Sequence, residues 1–237
     1  MKAALLLASI LFVSCASTAR AVAPGDSSTP TGIALDAPWK QKLYAFAQAH
    51  LLHPSWGLTH SERDYRLAER IANAEKIEFD PDILFAAAFL HDQGGLPPFE
   101  KKGVDHAVRS SELAAEKLPE FGFPSQKIAQ VQDIILAHTY YTPAPSNASA
   151  IALAFRDADI LDFLGTMGAA RVFGATRDLD PNFSSLTPAY SLIKKFQTDM
   201  PPKLTYKASK AFATPKLEQL KVFLESLYKE SEGERAI

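Results

Sequence analysis

The residues of this chain with chemical reach are its six histidines and a few acids set in apolar surroundings. His91-Asp92 closes the run Ala86-Ala87-Ala88-Phe89-Leu90. An imidazole and a carboxylate therefore stand side by side at a helix C-terminus, where unpaired carbonyls favour a cation. Alone, the pair reads better as a histidine on a last turn beside a capping acid. The rest of the set shifts that balance. His60 opens an earlier helix, and Asp157, Asp159 and Asp162 interrupt a stretch whose Ile160, Leu161, Phe163 and Leu164 demand burial. An unpartnered buried carboxylate is expensive, so Asp157 or Asp159 should meet a cation, an arginine or strong donors. The plainer alternative is a solvated strip of acids paired with Arg156 or Arg171.

Two further histidines lie between these groups. His138 follows Val131, Ile134 and Ile135 at helical spacing and faces the interior, where it serves as a ligand or as a contact behind one; His106 begins a helix and reads first as a surface residue. His50 and His53 lack such company and read as structural. Arg63 is one turn beyond His60 and shares its helix face, a place from which it could balance charge on an anionic substrate. Lys101, Lys102 and Arg109 follow the loop Gly94-Gly95-Leu96-Pro97-Pro98, which could form a pocket rim, with a surface role the simpler reading for each lysine.

The elements that must position these residues are helices. From Trp39 onward the apolar spacing is helical, without a run of alternating strand residues. The first helix opens at Asp36-Ala37-Pro38 and runs to about Leu51, and the second spans about Thr59 to Lys76. Asp80-Pro81-Asp82 starts a third, apolar nearly all round, that ends near Asp92 before Gly94-Gly95. A fourth runs from about Val104 to Leu118, a fifth from Pro124-Ser125 to about Tyr140, and a long apolar sixth from about Ser149 to Leu164. Two more, about Pro188 to Met200 and Tyr206 to Lys229, flank Pro201-Pro202. The expectation is one all-α domain over about residues 38–230, with residues 231–237 as a tail.

Thr59-His60-Ser61-Glu62-Arg63, the stretch Ala86 to Asp92, and Asp157-Ala158-Asp159-Ile160-Leu161 together resemble the signature of the HD superfamily of metal-dependent hydrolases: a His, a His-Asp pair and a distant Asp. Arg156 to Gly165, followed by Gly168-Ala169-Ala170-Arg171-Val172-Phe173, is similar to a poorly characterised bacterial subgroup of that superfamily. The resemblance implies a single HD-domain helical bundle with His60, His91, Asp92 and Asp159 as metal ligands. Ala158-Asp159-Ile160-Leu161 matches the family's Ala-Asp-x-Leu, which favours Asp159; helical periodicity leaves Asp157 open, because the segment is apolar on both faces. HD proteins with two metals carry two extra histidines in the interval that holds His106 and His138. The donor set suits a borderline or hard divalent ion (Mn²⁺, Fe²⁺, Zn²⁺, Co²⁺ or Mg²⁺), one per chain with two as the alternative, and without thiolates it is no structural zinc site.

The activity implied is a metal-dependent phosphohydrolase acting on a nucleotide or small phosphate ester. Asp92 or a carboxylate behind it would accept the proton of the attacking water, and Arg63 or Arg109 would balance developing charge. The alternatives are hydration of a small nitrile such as cyanamide, two-iron oxygenation, and a non-catalytic exported ligand-binding protein.

Composition narrows the partners. The 237 residues carry 25 basic and 27 acidic side chains, a net charge of −2, which gives no basic excess to displace phosphate counterions from a nucleic-acid polymer. A small, anionic partner is expected. Lys2, the apolar stretch Ala3 to Val13 and the small residues up to Ala21 read as an export signal over 1–23, too short to span a bilayer. Cleavage near Ala21 would leave no thiol. Lipoprotein processing at Phe12-Val13-Ser14-Cys15 would instead make Cys15, the only cysteine, a lipid anchor, with 24–37 as a linker. Removal of residues 1–23 takes away Lys2 and Arg20 and no acid, which leaves a mature charge of −4.

Overall fold

The computed structural model describes residues 27–179, 182, 185–235 and 237; the leader 1–23, Cys15 within it, and Pro24 to Asp26 lie outside this set. The described residues form ten α-helices and no strand, with one isolated bridge between Ser28 and Ala34. The stretch before the first helix is packed rather than free: Ile33 and Leu35 are buried in the core, and Thr29 donates to the buried Glu62 at 3.1 Å.

Helix α1 is Pro38–His50, α2 is Leu58–Glu75 and α3 is Pro81–Ala88. The start of α3 follows from its sequence, since the Asp80 side chain accepts from the Asp82 backbone N–H at 2.9 Å and Pro81 supplies the fixed φ of a first helical residue. Ile83 to Leu90 are all buried, which puts α3 at the centre of the bundle. It ends earlier than the sequence indicates. Phe89 is its C-cap, and a 3₁₀ turn at Gln93–Gly95 follows, so His91 and Asp92 stand in the turn beyond the helix.

Helix α4 is His106–Phe121, α5 is Ile128–Ala137 and α6 is Ala150–Asp162. The long sixth helix stops at Asp162 with Phe163 as its cap, Leu164 is extended, and α7, Gly165–Gly174, opens at a glycine with φ +76°. Neither α7 nor the short α8, Thr176–Leu179, is marked in the sequence pattern. Helix α9, Thr187–Asp199, and the long α10, Lys207–Glu230, close the bundle. Helices α2 and α6 lie along each other, α5 packs on α3, α4 and α6, and the first turn of α4 abuts the turn after α3. Five elements thus end at or pass one spot. No described helix is long and apolar enough to cross a membrane.

Candidate metal centre

At that spot four imidazoles and three carboxylates converge. His60, in the first turn of α2, and Asp64, one turn later, point the same way, and His60 Nε2 lies 3.1 Å from Asp64 Oδ2 and 3.4 Å from Asp159 Oδ1 on α6. His91 Nε2 is 3.3 Å from His60 Nε2 and 3.7 Å from Asp64 Oδ2. Asp92 joins this group to a second one. Its Oδ2 lies 3.5 Å from His60 Nε2 and 3.3 Å from His91 Nε2, while its Oδ1 lies 3.4 Å from His106 Nε2 and 3.6 Å from His138 Nε2. His106 is the first residue of α4, His138 caps the end of α5, and their Nε2 atoms are 3.0 Å apart.

The tautomers follow from what each ring holds at its far side. His60 Nδ1 lies 2.9 Å from Asp162 Oδ2, His91 Nδ1 2.9 Å from the Ala88 carbonyl, and His138 Nδ1 faces the Ile135 carbonyl. Carboxylates and carbonyls only accept, so each Nδ1 carries the proton and each Nε2 presents a lone pair to the centre. His106 Nδ1 meets the Tyr141 hydroxyl at 2.9 Å, which itself donates to Asp105 Oδ2 at 2.8 Å, so that nitrogen too is the donor. Neutral rings in these tautomers aim lone pairs at one another across about 3 Å. Both oxygens of Asp64, which is fully buried, have no hydrogen-bond partner. A cation resolves both conflicts, and the donors within reach of one another, His60, Asp64, His91 and Asp159 in one group and His91, Asp92 and His138 in the other, fit a divalent ion.

Electrostatics agree with a centre built for positive charge. Burial pushes the Asp92 carboxyl up, but the charge on His91 and the contacts from His138, His60 and His91 hold it well below the usual range. Burial and the neighbouring charges of Asp162 and Asp159 raise Asp64 well above it, with His91 and Arg171 opposing. For His60, burial and Arg171 oppose protonation, yet hydrogen bonds to Asp162 and Asp92 win and raise the ring; Asp92 does the same for His91 against its burial. Burial dominates at His106 and lowers it.

The arginines that sequence spacing assigns to substrate do other work. Arg63 donates from Nε and an Nη to the two oxygens of Asp162 at 2.8 and 2.9 Å, and Arg171 adds a third guanidinium contact at 2.7 Å. Arg63 thereby fixes the carboxylate that orients His60. Arg109, although one turn from His106, bonds the Phe99 carbonyl, Glu112 and Glu116, away from the centre. Asp157 also turns away and accepts the backbone N–H groups of Thr205 and Tyr206 ahead of α10, which settles Asp159 as the acid at the centre. Lys101 pairs with Glu112 on the surface, and His50 donates to the Phe46 carbonyl.

A pocket of about 290 Å³ opens over the centre, lined by Asp92, His106, His138 and Asp159 at its base and by Trp56, Leu96, Tyr140, Tyr141 and Phe163 on its walls. No lysine or arginine is among its lining residues. Sequence reasoning did not find Asp64, the orienting role of Asp162, or the aromatic wall. Only Asp64 carried a signal, its position four residues after His60.

Residues 57–164 match the HD domain family. None of the curated proteins matches the chain significantly. Among solved structures, the chain is similar to an HD-superfamily hydrolase from an uncultured Thermotogales bacterium at 25% identity, with 81% of this chain and 90% of that one covered and a TM-score of 0.55. It is similar to an HD-superfamily hydrolase from Bacillus thuringiensis at 22% identity, covering 81% and 96%, TM-score 0.54. It also matches Bacillus subtilis YpgQ in complex with ADP at 21% identity, covering 81% and 97%, TM-score 0.59. The fold and the His/Asp centre define a helical metal-site domain. The chain carries an HD domain over residues 57–164, and the solved structures that share its fold include HD-superfamily hydrolases, which supports a metal-dependent hydrolase of that superfamily.

Proposed function

We propose that the protein is a metal-dependent phosphohydrolase of a small phosphate ester, with a divalent ion held by His60, His91, Asp92 and Asp159 and a second by Asp92, His106 and His138. The observation that carries this reading is the division of Asp92, whose two oxygens face two different pairs of imidazoles. Bound there, divalent ions supply Lewis acidity and a water of lowered pKa. The chain's own part is to fix the donors. Asp162 and the Ala88 and Ile135 carbonyls lock three rings, Tyr141 locks the fourth, and the aromatic walls exclude bulk water from the base of the pocket.

Charge favours two ions over one. With no lysine or arginine in the lining, only the ions can offset a phosphate dianion; Asp92 and Asp159 alone cancel a single divalent charge, whereas a second leaves the base of the pocket positive. YpgQ holds ADP, so this fold admits a nucleotide, and Trp56 and Tyr140 would offer ring faces to a base. The same lack of fixed cations favours a second reading, hydration of a small uncharged nitrile.

Purified protein with Mn²⁺ should hydrolyse members of a phosphoester panel, with turnover abolished by chelation and by His91→Ala. Turnover indifferent to both would overturn the reading, and turnover of cyanamide with none on the phosphoester panel would replace it with the second. Export through the leader 1–23 is part of the proposal. N-terminal sequencing of the mature protein tests it: a start after Ala21, or a lipidated Cys15, supports export, and an intact Met1 refutes it.

A further inference from the structure

We infer that Asp64 is itself a ligand of the ion held by His60, His91 and Asp159, so that this half of the centre has one more carboxylate than the HD motif supplies. The inference rests on the metal-binding reading above and extends it to a residue outside the His, His-Asp, Asp pattern. Three observations carry it. Asp64 is 0% exposed, and neither of its oxygens accepts a hydrogen bond. Its Oδ2 lies within 3.1 Å of His60 Nε2 and 3.7 Å of His91 Nε2, the two lone pairs that the tautomers aim inward. The guanidiniums nearby bond elsewhere: Arg63 holds both oxygens of Asp162, and Arg171 bonds Asp162 and the Ser55 carbonyl.

A buried carboxylate in that position costs several kcal/mol unless a cation meets it. A structural role would require donors, and the nitrogens that approach its oxygens, His60 Nε2 and His91 Nε2, are the ones that the far-side hydrogen bonds leave as lone pairs. Its position is also fixed by the helix: one turn separates Asp64 from His60, so both side chains reach the same point from α2 without any loop having to order. The consequence is a harder, more anionic pocket for this ion, which favours Mn²⁺, Mg²⁺ or Fe²⁺ over a softer competitor.

The test compares wild type, Asp64→Asn and Asp159→Asn for Mn²⁺ affinity by calorimetry, for the visible absorption of bound Co²⁺, and for melting temperature with and without metal. As a ligand, Asp64 predicts at least about a tenfold rise in Kd for Asp64→Asn and a changed Co²⁺ spectrum. It also predicts opposite shifts in melting temperature: the metal-free variant melts higher than wild type, because a buried acid with no hydrogen-bond partner is gone, and the loaded variant melts lower. Asp64→Asn with wild-type affinity and spectrum, beside an Asp159→Asn that loses the ion, overturns the inference alone. A weaker affinity with an unchanged Co²⁺ spectrum also overturns it, since the carboxylate would then act only through its field. Wild type that binds no Mn²⁺ overturns both this inference and the function proposed above. If Asp64→Asn does not fold, Asp64→Glu replaces it; as a longer carboxylate it should keep Mn²⁺ binding while shifting the Co²⁺ bands, and bands identical to wild type count against ligation.

Discussion

A buried imidazole presents to a metal whichever nitrogen its far side leaves free, so the residues behind the rings decide whether a cluster of histidines can hold an ion. Asp162 is the strongest such residue here. It accepts from His60, Arg63 and Arg171, and although burial pushes its carboxyl up, those contacts hold it far below the usual range. Asp162→Asn keeps the shape but leaves the two guanidiniums with a neutral partner. It should cost about 3–5 kcal/mol in urea unfolding, as breaking a buried pair does, and should weaken Mn²⁺ binding by about 10- to 100-fold. A variant with both quantities unchanged would remove Asp162 from this role. At this scale the sequence was legible where a residue's type sets its chemistry. His60, His91, Asp92 and Asp159 could be proposed by motif and His138 as an inward imidazole, whereas His106, read first as a surface residue, has its Nε2 3.4 Å from Asp92 Oδ1. It was illegible for the cations, because helical spacing tells which way Arg63 leaves α2 but not that an acid on α6 lies in its path.

Elements carry these residues together through one close approach. The N–H of Gly94, in the turn after Asp92, donates to Ser110 Oγ at 2.8 Å, and a Cβ on Gly94 would stand 2.4 Å from the Ser110 nitrogen and 2.7 Å from the Arg109 carbonyl carbon. Only glycine lets α4 come this near, and that contact sets His106 beside Asp92. Gly94→Ala must therefore push backbone away from backbone, at about 1–3 kcal/mol of overpacking, and should depress binding of the ion next to His106 more than that of its neighbour. Calorimetry resolving two binding events would show this, and equal loss of both would argue against it. Arg109→Ala, on the same helix but bonded to Glu112 and Glu116, should leave turnover within about twofold, because its half-exposed acid partners are worth little and its side chain does not line the pocket. The helices that could be read from the sequence are those with chemical punctuation, such as α3 with its Asp80-Pro81 start. Its end was misread because Phe89 and Leu90 stay buried beyond its last residue, Ala88, and the Phe89 and His91 N–H groups still bond the carbonyls four residues back. The end of α6, read at about Leu164, falls at Asp162 with Phe163 as its cap.

For the whole molecule, the centre is a reservoir of unfavourable charge that only an ion relieves, since it ties α2, α3, α4, α5 and α6 together through like-charged carboxylates and facing lone pairs. An ion that binds only the folded chain stabilises it by about 2.7 kcal/mol at a hundredfold excess over Kd. In a domain of this size each kcal/mol moves the melting temperature by about 2–4 °C, so chelation should lower it by about 5–10 °C. The gap should also depend on pH. His60 and His91 are raised above the free imidazole: burial opposes their protons, but Asp162 and Asp92 hold them. In the metal-free protein the stabilisation from those protons is complete below the unfolded value of about 6.5 and is lost as pH rises through the higher folded values. Metal needs the same nitrogens bare, so the ion competes with fewer protons as pH rises. Both effects have one sign, and the difference in melting temperature between loaded and chelated protein should widen from pH 6 to pH 8. A difference that stays constant across that range would mean that the ion, if bound, is held by groups other than these two rings.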